Sequence, residues 1–197
     1  MQLDEEKRGF SFNKGPLDMR MDRSQKQTAY DIVNTYSEAE LGQVFRDYGE
    51  ERNWRLIARA IVKARYRKPI QTNEELSALV IQAAKRKRSK IHPATLVFQA
   101  LRIVVNHELE SIEKGVKAAT KLLSPSNRMG VLSFHRLEDR LVKNIFKIAS
   151  KPIESIAKNH YLPLLKLLTK SPLVPSLQER FANRRSRSAK LRFAEKI

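Results

Sequence analysis

The pattern of apolar and polar positions predicts helices through the first half of the chain. Over residues 24–92, apolar residues recur every three to four positions, the spacing that gives a helix one buried face. Ser37 stands three residues before Glu40, and Thr72 stands three residues before Glu75, which is the spacing of capping boxes at helix starts. The region 24–92 is therefore predicted to form an all-helical unit.

The pattern changes after Pro93, where helical and extended stretches alternate. The predicted elements are a helix from Pro93 to about residue 124, a strand over 129–134, a helix over 137–149, a strand or short helix over 164–172 and a final strand over 189–194. This order favours an α/β fold, although the strands are too few to close a sheet by themselves. Residues 2–23 carry turn signals around Gly9 and Gly15 instead, and are predicted to form an irregular, ordered loop region.

The charge of the chain indicates the kind of partner it attracts. Lys and Arg number 39 against 21 Asp and Glu, a formal net charge of +18. A field of this sign attracts polyanions, above all nucleic acid, with an anionic membrane surface as the competing partner. The basic residues cluster at 85–90, where five of six residues are Lys or Arg, and at 176–197, with seven against two acids. This clustering favours nucleic acid over a merely soluble basic protein.

Residue content disfavours several other classes of site. The chain has no cysteine, which excludes disulfides and thiolate zinc sites and fits a reducing cytoplasm. The four histidines, at 92, 107, 135 and 160, are too scattered to suggest a metal site. No apolar run approaches the ~20 residues of a membrane span, and the acidic, polar start differs from a signal peptide. A cytoplasmic protein without metal or membrane partner is therefore predicted.

Six runs of residues, in order along the chain, resemble a known family. They are RGFSF at 8–12, GPLDMRM at 15–21, YGEER at 48–52, HPAT at 92–95, SFHxLEDR at 133–140, where Arg136 departs from the family, and RSRSAKLR at 185–192. Together they resemble the signature of the bacterial 16S rRNA (cytosine-N4) methyltransferases, and such an ordered set is more specific than any single motif. The resemblance implies S-adenosylmethionine-dependent methylation of the N4 amine of a cytosine in the 16S rRNA of the small ribosomal subunit.

The resemblance also implies a fold, of which one part is missing from these residues. Class I (Rossmann-like) methyltransferases bind the cofactor at the carboxyl ends of the first sheet strands, beside a tight glycine turn. The family's Gly-Gly-His element for this turn does not occur, since the six glycines are scattered and no two are adjacent. We therefore expect an incomplete class I fold that lacks the N-terminal cofactor-binding segment and is inactive alone. The expected domains are 1–23, a remnant of the methyltransferase domain; 24–92, an all-helical insert for substrate recognition; and 93–197, the C-terminal part of the methyltransferase domain.

The resemblance assigns candidate roles position by position. Gln2 falls where the family has a glutamine that contacts the cofactor. Ser133, His135 and Asp18 are candidates for catalysis, because the fold places a strand end near the active site and a carboxylate could orient the base. The candidates for RNA contact are Arg8, Phe10, Phe12 and Arg20, together with Lys85, Arg86, Lys87, Arg88, Arg184, Arg185 and Arg187, which the clustering of positive charge indicates rather than the resemblance.

Each of these candidates also has a structural interpretation. The two phenylalanines pack in a core or loop more often than they line a base pocket. Asp18 and Arg20 form a structural ion pair as readily as they orient a base, and His135 is at least as often a satisfied structural histidine. Glu138 and Asp139 are expected to cap the helix that follows them, because carboxylates suit helix N-termini.

Two other functions compete with the methyltransferase hypothesis. The missing glycine element and the net charge are also compatible with a non-catalytic basic RNA-binding module or a degenerate enzyme remnant. A DNA-binding helical protein ranks last, because no helix has the features of a recognition helix with a docking partner. The oligomeric state does not follow from the sequence.

Overall fold

The chain forms two compact units, Met1–Glu108 and Leu109–Ile197. The structure, a computed structural model, describes residues 8–12, 15–84, 92–154, 160–161 and 163–197. The first unit contains helices α1 (Ala29–Thr35), α2 (Glu38–Asp47), α3 (Trp54–Arg65), α4 (Asn73–Ala84) and α5 (Thr95–Val105). The elements that follow are α6 (Glu108–Leu122), β1 (Arg128–Ser133), α7 (Arg136–Ala149), β2 (Ile153–Glu154), β3 (His160–Tyr161), β4 (Leu165–Leu167), α8 (Leu177–Ala182), a 3-10 helix (Arg184–Ser188) and β5 (Lys190–Lys196). The described architecture is therefore a mixture of helices and a small sheet.

The hydrophobic core of the first unit lies between its helices. Phe45 on α2, Ile57 and Ile61 on α3, Leu76 on α4 and Leu101 on α5 are fully buried. Burial of one such side chain contributes ~1.5–3 kcal/mol to the free energy of unfolding. The prediction that apolar residues spaced three to four positions apart form the buried faces of helices is thus confirmed for these residues.

Two of the helices in this unit begin with the predicted capping boxes. Ser37 Oγ accepts from Glu40 N at 3.2 Å, while Glu40 Oε2 accepts from Ser37 N at 2.7 Å. Thr72 Oγ1 accepts from Glu75 N at 3.2 Å, and Glu75 Oε2 accepts from Thr72 N at 3.2 Å. Each box satisfies N–H groups that have no partner within the helix, so both predictions are confirmed.

The segment 8–21 is held against the helices by two buried asparagines. Asn73 Nδ2 donates to Gly9 O at 2.8 Å. Asn106 Nδ2 donates to Met19 O, also at 2.8 Å, and the Met19 side chain is buried. The described part of this segment is irregular yet anchored, as the turn signals predicted.

The single helix predicted from Pro93 to about residue 124 is wrong, because two helices occupy this stretch. Asn106 and His107 separate α5 from α6, and His107 has a φ of 49° in the left-handed region. The Asn106 carboxamide is held by tertiary bonds, since its Oδ1 accepts from Met21 N at 2.7 Å. These bonds fix the backbone at the break, although the apolar periodicity continues across it.

The two compact units divide between Glu108 and Leu109, so helix α5 belongs to the first, helical unit. The functional division into 1–23, 24–92 and 93–197 stays a prediction. None of the helices in the described part of the chain combines the length and the apolar character needed to cross a bilayer.

The second unit contains a three-stranded sheet in the order β1-β5-β4, with both pairs antiparallel. Ser133, the last residue of β1, pairs with Lys190, the first residue of β5. Leu165 of β4 and Ala194 of β5 pack with Val142 of α7 in a common core. The strand predicted before α7, α7 itself and the final strand are confirmed, and the stretch predicted as a strand or short helix contains β4.

Candidate functional site

The turn from β1 into α7 brings together two of the three candidate catalytic side chains. Ser133 is buried at the end of β1, and its hydroxyl donates to Lys190 O at 3.2 Å. His135 is the N-cap of α7, where its Nδ1 accepts from Glu138 N at 3.3 Å. Glu138 Oε2 completes the box by accepting from Phe134 N at 2.6 Å and from His135 N at 3.1 Å. The strand end and the capping box together fix the positions of Ser133 and His135.

One ring nitrogen of His135, Nε2, makes no hydrogen bond to the described residues. Because Nδ1 accepts the capping bond, the neutral ring carries its hydrogen on Nε2. Nε2 is buried and lies 3.1 Å from Glu138 Oε1, but this contact lacks the geometry of a hydrogen bond and the described residues give Nε2 no other. Burial raises the pKa of Glu138, but the nearby His135 side chain and the Phe134 N–H together lower it by more. The pKa of Glu138 therefore lies below its ordinary value. The turn therefore holds an ionised carboxylate against a ring of defined orientation.

Asp139, the next residue on α7, forms a buried ion pair with β5. Its Oδ1 accepts from Arg192 Nε at 2.7 Å and its Oδ2 accepts from Arg192 Nη2 at 3.2 Å, with Lys190 Nζ 3.3 Å away. Burial raises the pKa of Asp139, but the bonds from Arg192 and Lys190 lower it more, so the pKa lies below its ordinary value. The expected helix-capping role is thus confirmed for Glu138, whereas the Asp139 side chain ties α7 to the sheet instead.

Because of these two carboxylates, the free energy of unfolding of the second unit is expected to decrease at acidic pH. Their pKa values are lower in the folded chain than the ordinary 4.5 and 3.8, so the unfolded chain binds protons more readily. Their contribution is therefore complete above those ordinary values and is lost as the pH falls through the lowered ones. We expect the urea midpoint of residues 109–197 to fall from about pH 5 downward. A midpoint in the Glu138→Gln variant that falls as steeply as the wild type would contradict the share assigned to Glu138.

The third candidate for catalysis, Asp18, lies in the first unit and is paired. Arg20 Nε donates to Asp18 Oδ1 at 2.7 Å and Arg20 Nη2 donates to Asp18 Oδ2 at 3.0 Å. The Arg20 side-chain bond lowers the pKa of Asp18. Arg20 Nη1 also donates to Gln25 O at 2.6 Å, so the guanidinium fixes the chain entering α1. The structural ion pair that the sequence left open is formed, and both side chains remain partly exposed.

The aromatic candidates of the first unit pack against its core. The Phe12 ring is stacked on His92 with centroids 4.9 Å apart and meets Phe98 edge-on at 5.0 Å. Phe10 and Phe12 are both half-buried beside the core cluster. Arg8, at the start of this segment, donates from Nη1 to Met21 O at 3.0 Å. A role of these residues in RNA contact stays a prediction.

The candidate arginines near the end of the chain lie in the 3-10 helix that precedes β5. Arg184, Arg185 and Arg187 are exposed there, and Asn183 Oδ1 caps the helix by accepting from Arg185 N at 3.0 Å. Since Lys190 pairs with Ser133, these arginines come just before the β5 residue that lies beside the carboxyl end of β1. The chain therefore enters β5 from these three residues at the same end of the sheet as the strand-end candidates.

Helix α8, directly before these arginines, was not predicted. Ser176 Oγ accepts from Glu179 N at 3.1 Å, so the helix starts at a Ser-x-x-Glu spacing that could have indicated it. The partners of Asp139 had no comparable signal, because Arg192 is distant in sequence. The predictions for Gln2 and for Lys85, Arg86, Lys87 and Arg88 concern residues outside the described part of the chain.

One family model and several curated proteins match this chain over its whole length. The family model described as the MraW methylase family matches residues 1–197. Ribosomal RNA small subunit methyltransferase H of Carboxydothermus hydrogenoformans is 51% identical over 100% of this chain and 65% of its own length. The proteins of the same name in Acaryochloris marina and Protochlamydia amoebophila are each 50% identical over 100% of this chain, covering 62% and 65% of their lengths. The chain thus spans somewhat under two thirds of the length of these relatives.

Proposed function

The chain belongs to the MraW methylase family, and on that premise we propose that it serves S-adenosylmethionine-dependent methylation of a cytosine N4 amine in 16S rRNA. The relatives' shared name, ribosomal RNA small subunit methyltransferase H, supports both the reaction and the ribosomal partner. The observation that carries the proposal is the turn from β1 into α7, where Ser133 and His135 stand at the carboxyl end of a strand. In open α/β sheets, ligands bind outside the carboxyl ends of strands. A small-subunit rRNA substrate places the reaction in the cytoplasm.

The proposed fold is class I, with residues 24–92 as an inserted helical domain. Among the described strands, β1 has β5 on one side and an open edge on the other. Successive residues of β1 point to opposite faces of the sheet. Leu132 is 53% exposed and lies on the face away from the core that the sheet shares with α7. Parallel α/β sheets are covered on both faces, and here β4 runs parallel to β1, with the antiparallel β5 between them. We therefore propose that the strands of the cofactor-binding half join the sheet at the open edge of β1.

The reaction demands positioning of a weak nucleophile. The cytosine amine shares its lone pair with the ring, so it must be aligned with the methyl donor and offered acceptors for its protons. Ser133 and His135 lie at the strand end, and each side chain is held by a hydrogen bond to a backbone group, Lys190 O for Ser133 and Glu138 N for His135. We assign them a positioning role. The basic side chains Arg184, Arg185 and Arg187 would hold the phosphates that flank the base.

The described residues do not fit the cofactor by themselves. S-adenosylmethionine supplies the activated methyl group, and class I enzymes hold it against a glycine turn after a strand. Within the described ranges no glycine follows a strand: Gly130 lies inside β1, and Gly42, Gly49 and Gly115 lie in or just after helices. Binding of the cofactor is therefore assigned to Gln2 and to the portion of the relatives that this chain does not span.

A chimera tests this proposal. The chain would be joined to the portion of the Carboxydothermus hydrogenoformans relative that it does not span, and labelled methyl transfer to unmethylated small subunits would be measured. We expect methylation of one cytosine by the chimera, and neither transfer nor tight cofactor binding by the 197-residue chain. Subunits already methylated by the full-length relative are the control. A chimera that folds, binds the cofactor and transfers nothing would contradict the proposal.

The second candidate function is RNA binding without catalysis. The absence of any adjacent glycine pair in a chain of net charge +18 favours it. The same chimera separates the two functions, because a purely RNA-binding chain would bind 16S rRNA in a salt-sensitive way and stay inactive with the cofactor segment supplied.

A further inference from the structure

The outward face of α3 carries a row of basic side chains with no assigned role. Counting 100° per residue, one face holds Arg55, Arg59 and Lys63, with Arg52 just before the helix and Arg67 just after it. All five side chains are exposed. We call this set the α3 basic face. The opposite face of α3 is buried in the core of the first unit, so the row is held on a rigid element.

Few acids neutralise the α3 basic face. Helix α3 contains no acidic residue, and among the described residues only the exposed Glu38 pairs with the row, at 3.4 Å from Arg59. Arg52, Lys63 and Arg67 have no ion-pair partner in the described part of the chain. An ordinary solvated helix mixes both signs, as α6 does with i,i+4 pairs between Glu110 or Glu113 and the lysines that follow.

Aromatic side chains accompany this row of charges. The Arg55 guanidinium lies 4.2 Å from the centroid of the Trp54 ring, which orients the arginine before any ligand arrives. Trp54 itself packs closely against Gly42, where a Cβ would lie 2.7 Å from the ring. Tyr66, at the end of α3, is 85% exposed on the same face as the charges. Basic side chains with an exposed aromatic ring are typical of surfaces that bind single-stranded nucleic acid.

We propose that the α3 basic face binds the sugar–phosphate backbone of the rRNA substrate, at a subsite separate from the strand-end site; this inference rests on the proposed function. From Arg52 to Lys63 the row extends for roughly 16 Å, the length of about four to five stacked nucleotides. An anionic membrane fits less well, because interfacial helices insert an apolar face and that of α3 is buried in the core.

The test removes three charges without disturbing the core. Arg52→Gln, Arg59→Gln and Lys63→Gln are combined in the full chain, because glutamine keeps helix propensity and these side chains are exposed. Filter binding to transcribed 16S rRNA is measured over a range of potassium chloride concentrations. Each lost phosphate contact lowers the slope of log K against log salt by ~0.7, so a decrease of about 2 is expected.

The matched control removes three charges from α6. The triple variant Lys114→Gln, Lys117→Gln and Lys121→Gln carries the same net charge and is expected to keep the wild-type slope. Equal slopes for the two triple variants, or no rRNA binding by the wild-type chain, would overturn the inference. So would an effect of the α3 variant on binding to phosphatidylserine vesicles without one on RNA.

The chimera distinguishes failure of this inference from failure of the proposed function. With the α3 substitutions it should methylate small subunits with a raised KM and an unchanged kcat, since the row only holds RNA. An active chimera with an unchanged KM would overturn the α3 subsite and leave the methyltransferase proposal standing. A chimera without the substitutions that binds rRNA yet never methylates would overturn the methyltransferase proposal and leave the α3 subsite standing.

Discussion

Replacement of Asp139 by alanine is expected to lower the free energy of unfolding of residues 109–197 by about 3–5 kcal/mol. The Asp139 and Arg192 side chains are only 11% and 8% exposed, so the variant leaves a buried guanidinium without its carboxylate. Lys190 loses the same partner. Urea denaturation, with hydrogen exchange resolved over α7 and β5, measures the loss.

Two further variants identify the unpaired buried charge as the cause. Asp139→Leu combined with Arg192→Met removes both charges and should recover most of the lost stability, because apolar replacement of a buried pair is often neutral. Arg128→Gln removes an ion pair between β1 and Glu195 of β5, but Arg128 is 70% exposed, so its cost should stay below about 1 kcal/mol. A loss at Asp139 no larger than that at Arg128 would contradict this explanation.

The Asp139 ion pair also marks the limit of what the sequence could predict. Interactions between residues three or four apart leave a readable spacing, as the boxes at Ser37 and Thr72 did. The Glu138 cap is of the same kind, and its carboxylate was expected at the helix start. The Asp139 side chain, by contrast, accepts a hydrogen bond from an arginine on β5. Tertiary packing decides which strand lies against α7, so the sequence spacing does not reveal this partner.

The break between α5 and α6 was missed for the same physical reason. Asn106 and His107 interrupt a helix whose apolar periodicity continues, because the Asn106 side chain binds the backbone of the segment 8–21. Asn favours helix ends but also occurs within helices, so its presence alone did not require the helix to end there. The strands were predictable individually, but their antiparallel order was not, since a pattern of alternation does not identify a pairing partner.

Replacement of Gly9 by alanine should destabilise the first unit by roughly 2–4 kcal/mol, from left-handed strain and a steric clash. Gly9 has a φ of 72°, and a Cβ there would lie 2.0 Å from Pro16 O. Relief of this clash moves the backbone that Asn73 holds, whose Nδ2 donates to Gly9 O. The segment bearing Asp18 and its partner Arg20 would then loosen, because Met19 N donates to Arg8 O across the same turn.

The single tryptophan makes this change measurable in the first unit alone. Trp54 packs beside Gly42, so its fluorescence during urea denaturation follows the helical unit. Gly115→Ala is the matched control, since a Cβ at that exposed position of α6 meets nothing within 4 Å. It should leave the Trp54 transition unchanged and stabilise its own helix by ~0.5–1 kcal/mol. If Gly9→Ala left the Trp54 transition equally unchanged, the segment 8–21 would not be part of the cooperative unit, and its anchoring of Asp18 would have to be abandoned.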